Sequence, residues 1–324
     1  MTLKFNDDDR YPTKNNGFHS IELNTLDVHK RLSPKLLQET EIISLKNTIN
    51  IDTDNKEIYY VELQDSFFHF LLEDMSNILY NFNLNKDIVF ILNAHNVLTS
   101  NQPQVPWLLK LFKFLDINFI LLNFEKGKNL IIKDFYSTNN DSLYYDHVDN
   151  FYHIIQRYKD RYGLINHVGP YRKVYLSRKK ISDKSKQIMF SNNNPDNYNF
   201  QDDIRVDNEE KIEQYFSNFG FEIIYPEEFH NFDDQIDYFD TVKTLVSLTS
   251  AGLSNALFMR PGQMLVELSV PLIVDGRESI HTHYQGLSFA KNHRYISIPS
   301  MRNSDDIIGH IENNLKLKEL ISNG

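Results

Sequence analysis

Short apolar segments alternate with longer amphipathic ones along most of the chain. In the first half the pattern predicts strands and helices that follow one another, at 57–63, 67–82, 88–92, 105–115 and 119–122. The strand segments 88–92 and 119–122 are apolar throughout, which is typical of parallel strands covered on both faces. The helical segments carry apolar residues at helical spacing. This alternation favours a layered α/β fold.

The second half repeats the alternation after Gly163–Tyr171, a stretch with two glycines and a proline where we place the domain boundary. Its predicted strands are 173–177, 221–225, 244–248 and 264–268, and its predicted helices are 209–219, 233–239, 253–258 and 305–321. We therefore predict an α/β protein with two Rossmann-like domains that face a cleft. They are residues 1–165 and 166–304, followed by a terminal helix, 305–324, that can pack back on the N-terminal domain.

Composition narrows the functional classes. The 324 residues carry 34 Lys and Arg against 44 Asp and Glu, a net charge of −10, so the chain is a poor candidate for coating nucleic acid. The absence of cysteine excludes disulfides, thiolate metal sites and a cysteine nucleophile.

The chain also offers no signal for a membrane or for secretion. No apolar run approaches the roughly 20 residues of a membrane-spanning helix, and the polar, acidic N-terminus is not a secretory signal. We expect a cytoplasmic enzyme, and the abundant Asn, Ile, Lys and Tyr suggest an AT-rich genome. The expected setting is a bacterial cell or a virus-infected host cell.

The most informative segment is Thr244–Glu267, where a buried strand runs directly into small residues and then a helix. Small residues at such a junction let an anion approach the first N–H groups of the helix, which lack internal partners. Ser250 can bond a phosphate oxygen, or it can simply cap the helix. The segment contains neither a GxGxxG fingerprint nor a P-loop lysine.

A second segment, Lys173–Lys180, is a strand that delivers Arg178, Lys179 and Lys180 to its carboxyl end. That end lines the ligand crevice in an open α/β sheet. Together with Arg205, Arg178 can neutralise a diphosphate. The alternative is a solvated basic cluster.

No metal site is predicted. Asp52 and Asp54 have D-x-D spacing, but they lie between two strand-like segments and are interpreted as part of a hairpin turn. His281 and His283 have no third ligand identified by spacing.

Taken in order, these segments resemble glycosyltransferase family 61 between about residues 60 and 298. The matching segments are FFHFLLED at 67–74, KVYLSRKK at 173–180, RVDNEE at 205–210, GFEIIYPEEF at 220–229, DDQIDYF at 233–239 and LVSLTSAGLSNALFMRPGQMLVEL at 245–268. The resemblance implies the two-domain GT-B fold and inverting transfer from a nucleotide sugar. It also implies a donor held mainly by the C-terminal domain, as in capsular-polysaccharide and xylosyltransferase-like members.

The resemblance also implies the site residues. Those expected to bind the nucleotide sugar are Ser177, Arg178, Lys179, Arg205, Asn208, Glu209, Glu228, Thr249, Ser250, Ala251, Gly252, Leu253 and Asn255.

The expected catalytic residues are Glu73, Asp74 and His69. In an α-helix His69 and Glu73 share a face, whereas Asp74 is rotated by about 100°. Inversion requires a group that takes the proton of the acceptor hydroxyl, which a carboxylate or a histidine can do. Glu73 is the preferred base, and a buried core role is the alternative for His69.

The expected function is thus metal-independent transfer of a monosaccharide, with no cofactor, from a UDP-sugar to a glycan or glycoconjugate. Where the family carries a Gly-Pro-His-Gly-like run, this chain has Ser247-Leu248-Thr249-Ser250. The missing histidine motivates an alternative, a glycan- or nucleotide-binding protein without catalysis. A further alternative is a GT-B-fold nucleotide-sugar epimerase.

Overall fold

The structure is a computed structural model of the chain. It describes residues 13–22, 35–36, 57–62, 70–75, 78–79, 88–93, 111–122, 129–137, 148–164, 169–183, 205–229, 231–270, 272–274, 277–279, 283–299 and 301–323. The chain divides into two compact units, Met1–His147 and Val148–Gly324.

A six-stranded sheet forms the centre of the first unit. Its strands are β1 (Thr13–Glu22), β2 (Lys35–Leu36), β3 (Glu57–Glu62), β4 (Ile88–Asn93), β5 (Asn118–Leu122) and β6 (Asn129–Ser137), arranged β2-β1-β6-β3-β4-β5. Strands β6, β3, β4 and β5 are mutually parallel, and β1 and β2 add antiparallel pairs. The predicted β3, β4 and β5 are confirmed. Sequence patterning misses β1, which is polar and has a register shift between Asn15 and Phe18.

The segment predicted as an α-helix at 67–82 contains two helix types in the structure. Residues Phe70–Asp74 form a short π-helix. Phe70, Leu71 and Leu72 are all buried, so this part of the chain does not present the single apolar stripe of a surface α-helix. Met75, Ile78 and Leu79, which follow the π-helix, are α-helical and buried, as the predicted spacing requires.

A five-stranded, wholly parallel sheet forms the centre of the second unit. Its strands are β7 (Arg172–Leu176), β8 (Glu222–Ile224), β9 (Val242–Leu248), β10 (Met264–Leu268) and β13 (Arg294–Ile298), arranged β13-β10-β9-β7-β8. A separate antiparallel pair consists of β11 (Leu272–Val274) and β12 (Arg277–Ser279). The mixed α/β class is therefore confirmed, with a parallel sheet as predicted for this half.

Helices cover this sheet. They are α1 (Val148–Tyr162), α2 (Glu209–Asn218), α3 (Phe232–Asp240), α4 (His283–Ala290), α5 (Ser304–Asn313) and α6 (Leu315–Asn323), with 3-10 helices at Pro226–Glu228 and Ala251–Phe258. Residues of α2, α5 and α6 form one core cluster with β7, β9 and β10. Helices α1, α3 and α4 pack against the 3-10 helix Ala251–Phe258. Among the described residues, no helix is both long and apolar enough to cross a membrane.

The predicted single terminal helix is two helices. Asn314 lies between them, and its Oδ1 accepts the backbone N–H of Leu317 at 3.1 Å, which caps the start of α6. Helix α5 contacts α2, where Tyr215 Oη donates to Glu312 Oε1 at 2.7 Å. These helices thus pack within the second unit, which also includes α1.

Candidate functional site

Two neighbouring strand ends form the centre of the candidate site. Strands β7 and β9 are adjacent and parallel, with Leu176 opposite Ser247, and Ser247 Oγ donates to the Leu176 carbonyl at 2.7 Å. Counted from β7, the sheet order is 2-1-3-4-5, so the order in which strands are added to the sheet reverses between β7 and β9. Open α/β sheets bind ligands beyond the carboxyl ends of their strands at such a switch point.

The end of β7 is anchored to two acidic residues of α2. Glu209 Oε1 accepts the backbone N–H of Arg178 at 2.7 Å and Tyr175 Oη at 3.0 Å. Ser177 Oγ lies 2.6 Å from Glu213 Oε1 and 3.2 Å from Glu209 Oε1. Ser177 and Glu209, both predicted to bind the donor, are therefore engaged in bonds within the protein.

Burial dominates the electrostatics of this cluster. It raises the pKa of Glu209 above its ordinary value, although the bonds from Arg178, Tyr175 and Ser177 and the charge of Arg178 pull the pKa down. Burial, together with the neighbouring Glu209, also raises the pKa of the Tyr175 phenol well above its ordinary value. Tyr175 thus stays a neutral hydrogen-bond donor.

The end of β9 is anchored differently, by a carboxylate from the next strand and by a tyrosine of α4. Thr249 Oγ1 donates to Glu267 Oε1 at 2.6 Å and accepts the N–H of Val270 at 3.3 Å. Tyr284 Oη donates to the Ser250 carbonyl. Burial raises the pKa of Glu267, while its bonds from Thr249 and Tyr295 lower it.

Ser250 precedes the 3-10 helix Ala251–Phe258, but its side chain makes no capping bond. In the described part of the chain, no group hydrogen-bonds to Ser250 Oγ, which is buried. The capping role considered for Ser250 is therefore not supported. Its hydroxyl and the first N–H groups of the helix, at Ala251 and Gly252, are the polar groups at this strand end.

Gly252 allows the helix to begin directly against β7. A Cβ atom at this position would lie 2.7 Å from Leu176 Cδ2, closer than side chains approach one another. The glycine therefore brings the start of the helix next to the end of β7.

Two further residues predicted to bind the donor are part of the internal packing. Leu253 is fully buried, and its N–H donates to the Ser250 carbonyl at 3.0 Å. Asn255 Oδ1 accepts from Gln235 Nε2 at 2.6 Å, and Asn255 Nδ2 donates to the Gly252 carbonyl at 2.8 Å. These bonds hold the helix in place from inside the protein.

The outer rim of the site carries exposed charges. Lys180 pairs with Glu228, and its ammonium lies 4.4 Å from the centre of the Tyr225 ring. Lys179 Nζ lies 3.3 Å from Glu210 Oε2. Asn208 is exposed directly before α2, and the half-buried Arg205 precedes it on the same segment.

The proposed catalytic residues belong to the first unit. Asp74 is fully buried at the end of the π-helix. The argument that His69 and Glu73 share a face assumed an α-helix, whereas Phe70–Asp74 is a π-helix, and the choice of Glu73 over Asp74 as the base stays a prediction. His69 and the Glu73 side chain lie outside the described part of the chain.

Within the residues that the structure describes, no three His, Asp or Glu side chains are grouped so that they could hold a metal ion. Asp52, Asp54 and His281 lie outside those residues.

Four residues that sequence reasoning missed support the two strand ends: Tyr175, Glu213, Glu267 and Tyr284. Two of them left a signal. Glu209 and Glu213 are four residues apart, which puts two acidic side chains on one face of α2. Glu267 is a charged residue within the otherwise apolar strand MLVEL.

No curated protein matches the chain. The family model described as Glycosyltransferase 61 matches residues 67–266, a range that includes the π-helix and the ends of β7 and β9. The chain therefore belongs to glycosyltransferase family 61.

Proposed function

We propose that the protein is an inverting glycosyltransferase that moves a monosaccharide from a nucleotide diphosphate sugar, most simply a UDP-sugar, to a glycan or glycoconjugate. The observation that carries the proposal is the switch point between β7 and β9, where Arg178 and the Ser250–Gly252 segment leave adjacent strands. A cationic side chain, a hydroxyl and helix N–H groups at one sheet edge are suited to a diphosphate.

The proposed chemistry follows from this arrangement. The diphosphate gains negative charge as the sugar leaves, and Arg178, Arg205 and the helix start offset that charge. On this proposal no metal ion is required. A carboxylate of the Glu73–Asp74 pair takes the proton of the acceptor hydroxyl. We propose that the two units are the Rossmann-like domains of a GT-B fold, since each contains parallel strands.

Calorimetry with UDP and uridine tests the donor site. We expect Arg178→Ala to weaken UDP binding by roughly 10- to 150-fold, because a charge-assisted contact contributes about 1.5–3 kcal/mol. Uridine, which lacks phosphates, should bind the variant and the wild type alike. Unchanged UDP affinity in the variant would exclude this donor site.

The fate of a UDP-sugar distinguishes the alternatives. A transferase consumes the donor only with an acceptor and yields a product of inverted anomeric configuration, which NMR reads directly. An epimerase changes the donor alone, and a binding protein leaves it intact.

Transfer should persist in excess EDTA, whereas loss of activity that manganese restores would contradict the metal-free mechanism.

A further inference from the structure

Glu209 occupies an unusual place beneath the end of β7. It is the first residue of α2, only 6% of it is exposed, and its carboxylate faces the backbone of a strand 31 residues earlier in the chain. The 2.7 Å bond from the Arg178 N–H is the shortest that Glu209 Oε1 accepts.

The hydrogen atoms around this carboxylate can be assigned. A carboxylate oxygen accepts along two lone pairs, and a serine hydroxyl has one hydrogen to give. Ser177 Oγ is closer to Glu213 Oε1 (2.6 Å) than to Glu209 Oε1 (3.2 Å), so its hydrogen goes to Glu213. Glu209 Oε1 is then filled by the Tyr175 hydroxyl and the Arg178 N–H.

The peptide of Arg178 is fixed from both sides. Its N–H is held by Glu209, and its carbonyl accepts the N–H of Ser182 at 3.0 Å. The next N–H, that of Lys179, donates to Ser177 Oγ at 3.0 Å. These bonds determine where the Arg178 side chain starts at the sheet edge.

We propose that Glu209 is a positioning residue, which holds the main chain of Arg178 so that its guanidinium group meets the donor diphosphate, rather than a residue that contacts the donor. This inference rests on the proposed function. It predicts that Glu209 acts on UDP through Arg178 and therefore has no effect of its own when Arg178 is absent.

A double-mutant cycle tests this dependence. Glu209→Met and Glu209→Gln are similar in size, but only glutamine offers an oxygen to the Arg178 N–H. We expect Glu209→Met to weaken UDP binding by about tenfold, on the scale of one lost charge-assisted bond, and Glu209→Gln to restore most of the loss. In an Arg178→Ala background, Glu209→Met should cause no further loss. Uridine affinity should be the same throughout.

Glu312→Gln is the matched control, because Glu312 of α5 also accepts a tyrosine hydroxyl, that of Tyr215 on α2, but does not belong to the support of β7. It should leave UDP affinity within about twofold of the wild type. If Glu209→Met does not fold, Glu209→Asp takes its place in the cycle. The aspartate side chain is one methylene shorter, so its oxygens lie further from the Arg178 N–H.

Several outcomes would overturn the inference. One is a tenfold loss that persists in the Arg178→Ala background, and another is an equal loss from Glu312→Gln. Unchanged UDP affinity in both Glu209→Met and Glu209→Asp would also reject it. A wild-type protein that does not bind UDP would contradict the proposed function as well, whereas the other three outcomes leave that function standing.

Discussion

The ends of β7 and β9 lie side by side but are held by different means. The end of β7 is held by side chains of α2, with carboxylates that accept a backbone N–H, a phenol and a hydroxyl. The end of β9 is held by Glu267 of the adjacent strand, by Tyr284 of α4 and by close packing of Gly252 on Leu176.

The difference indicates a division of roles. At β7 the hydrogen bonds fix the backbone of Arg178, whose side chain is half-buried. At β9 they occupy Thr249 and the Ser250 carbonyl, and Ser250 Oγ stays without a partner among the described residues. On the proposed function, one strand end supplies a side-chain charge to the donor and the other supplies a hydroxyl and helix N–H groups.

The largest effect should appear when acid protonates His293, a buried histidine that contacts the 3-10 helix Ala251–Phe258. His293 Nε2 lies 3.1 Å from the Ala256 carbonyl, and burial lowers the pKa of His293 to about 4. The unfolded chain binds the proton near pH 6.5 and the folded chain only near pH 4, so stability falls as pH falls through this interval. The full loss should be about 3 kcal/mol.

Urea unfolding between pH 7.5 and pH 4 measures this effect. His293→Gln, which keeps a nitrogen donor for the Ala256 carbonyl, should lose less stability on acidification than the wild type does. His153→Gln, at an exposed histidine of α1, controls for the loss of a histidine as such. If the wild type and His293→Gln lose stability in parallel, His293 is not the titrating support.

An intermediate effect is expected where the two strand ends touch. Gly252→Ala forces a Cβ atom to within 2.7 Å of Leu176 Cδ2, and such overpacking costs about 1–3 kcal/mol in the free energy of unfolding. Leu176→Val removes that methyl group, so its cost and that of Gly252→Ala should be less than additive in the double variant.

Gly309→Ala in α5 is the matched control, because a Cβ atom there meets nothing within 4 Å. It should stabilise the protein by up to about 1 kcal/mol. Thermal unfolding measures the expected destabilisation by Gly252→Ala and the expected stabilisation by Gly309→Ala. Additive costs of Gly252→Ala and Leu176→Val would show that the contact between these two residues does not limit how closely the helix packs on β7.

The smallest effect belongs to the rim. Lys180 and Glu228 form an ion pair with side chains 49% and 53% exposed, and such pairs contribute about 0–1 kcal/mol. Lys180→Gln should therefore change the free energy of unfolding by less than about 1 kcal/mol, and by less still at high salt. A larger change would show that this ion pair helps to hold the end of β7.

The parts of the fold that depend on local pattern were predictable. Strand β10 has the predicted limits, 264–268, because its residues are nearly all apolar and a proline and a glycine precede them. The terminal helix shows the limit of periodicity, since apolar spacing continues past Asn314 although that residue ends one helix and caps the next. Likewise, no periodicity distinguishes the 3-10 helix at Ala251–Phe258 from an α-helix.

The site was predictable as a set of strand ends but not as a set of contacts. The sequence indicates that Arg178 and Ser250 each follow a strand. That these two strands are neighbours follows only from the strand order, in which β9 lies next to β7 on the side opposite β8. The internal role of Glu209 depends on how α2 packs on β7, a contact between residues far apart in the chain. Sequence spacing contains no information on that packing.

Because of its bond to Glu209, the backbone amide of Arg178 can report on whether α2 is packed against the sheet. The N–H of Ser177 is bonded to the Ile224 carbonyl of β8, whereas the next N–H is bonded to a carboxylate of α2. Hydrogen exchange of the first amide follows the opening of the sheet, and exchange of the second also follows the departure of the helix from it. Comparison of the two exchange rates would distinguish local opening of the sheet from the departure of α2. The second amide belongs to Arg178, the residue proposed to bind the donor phosphates.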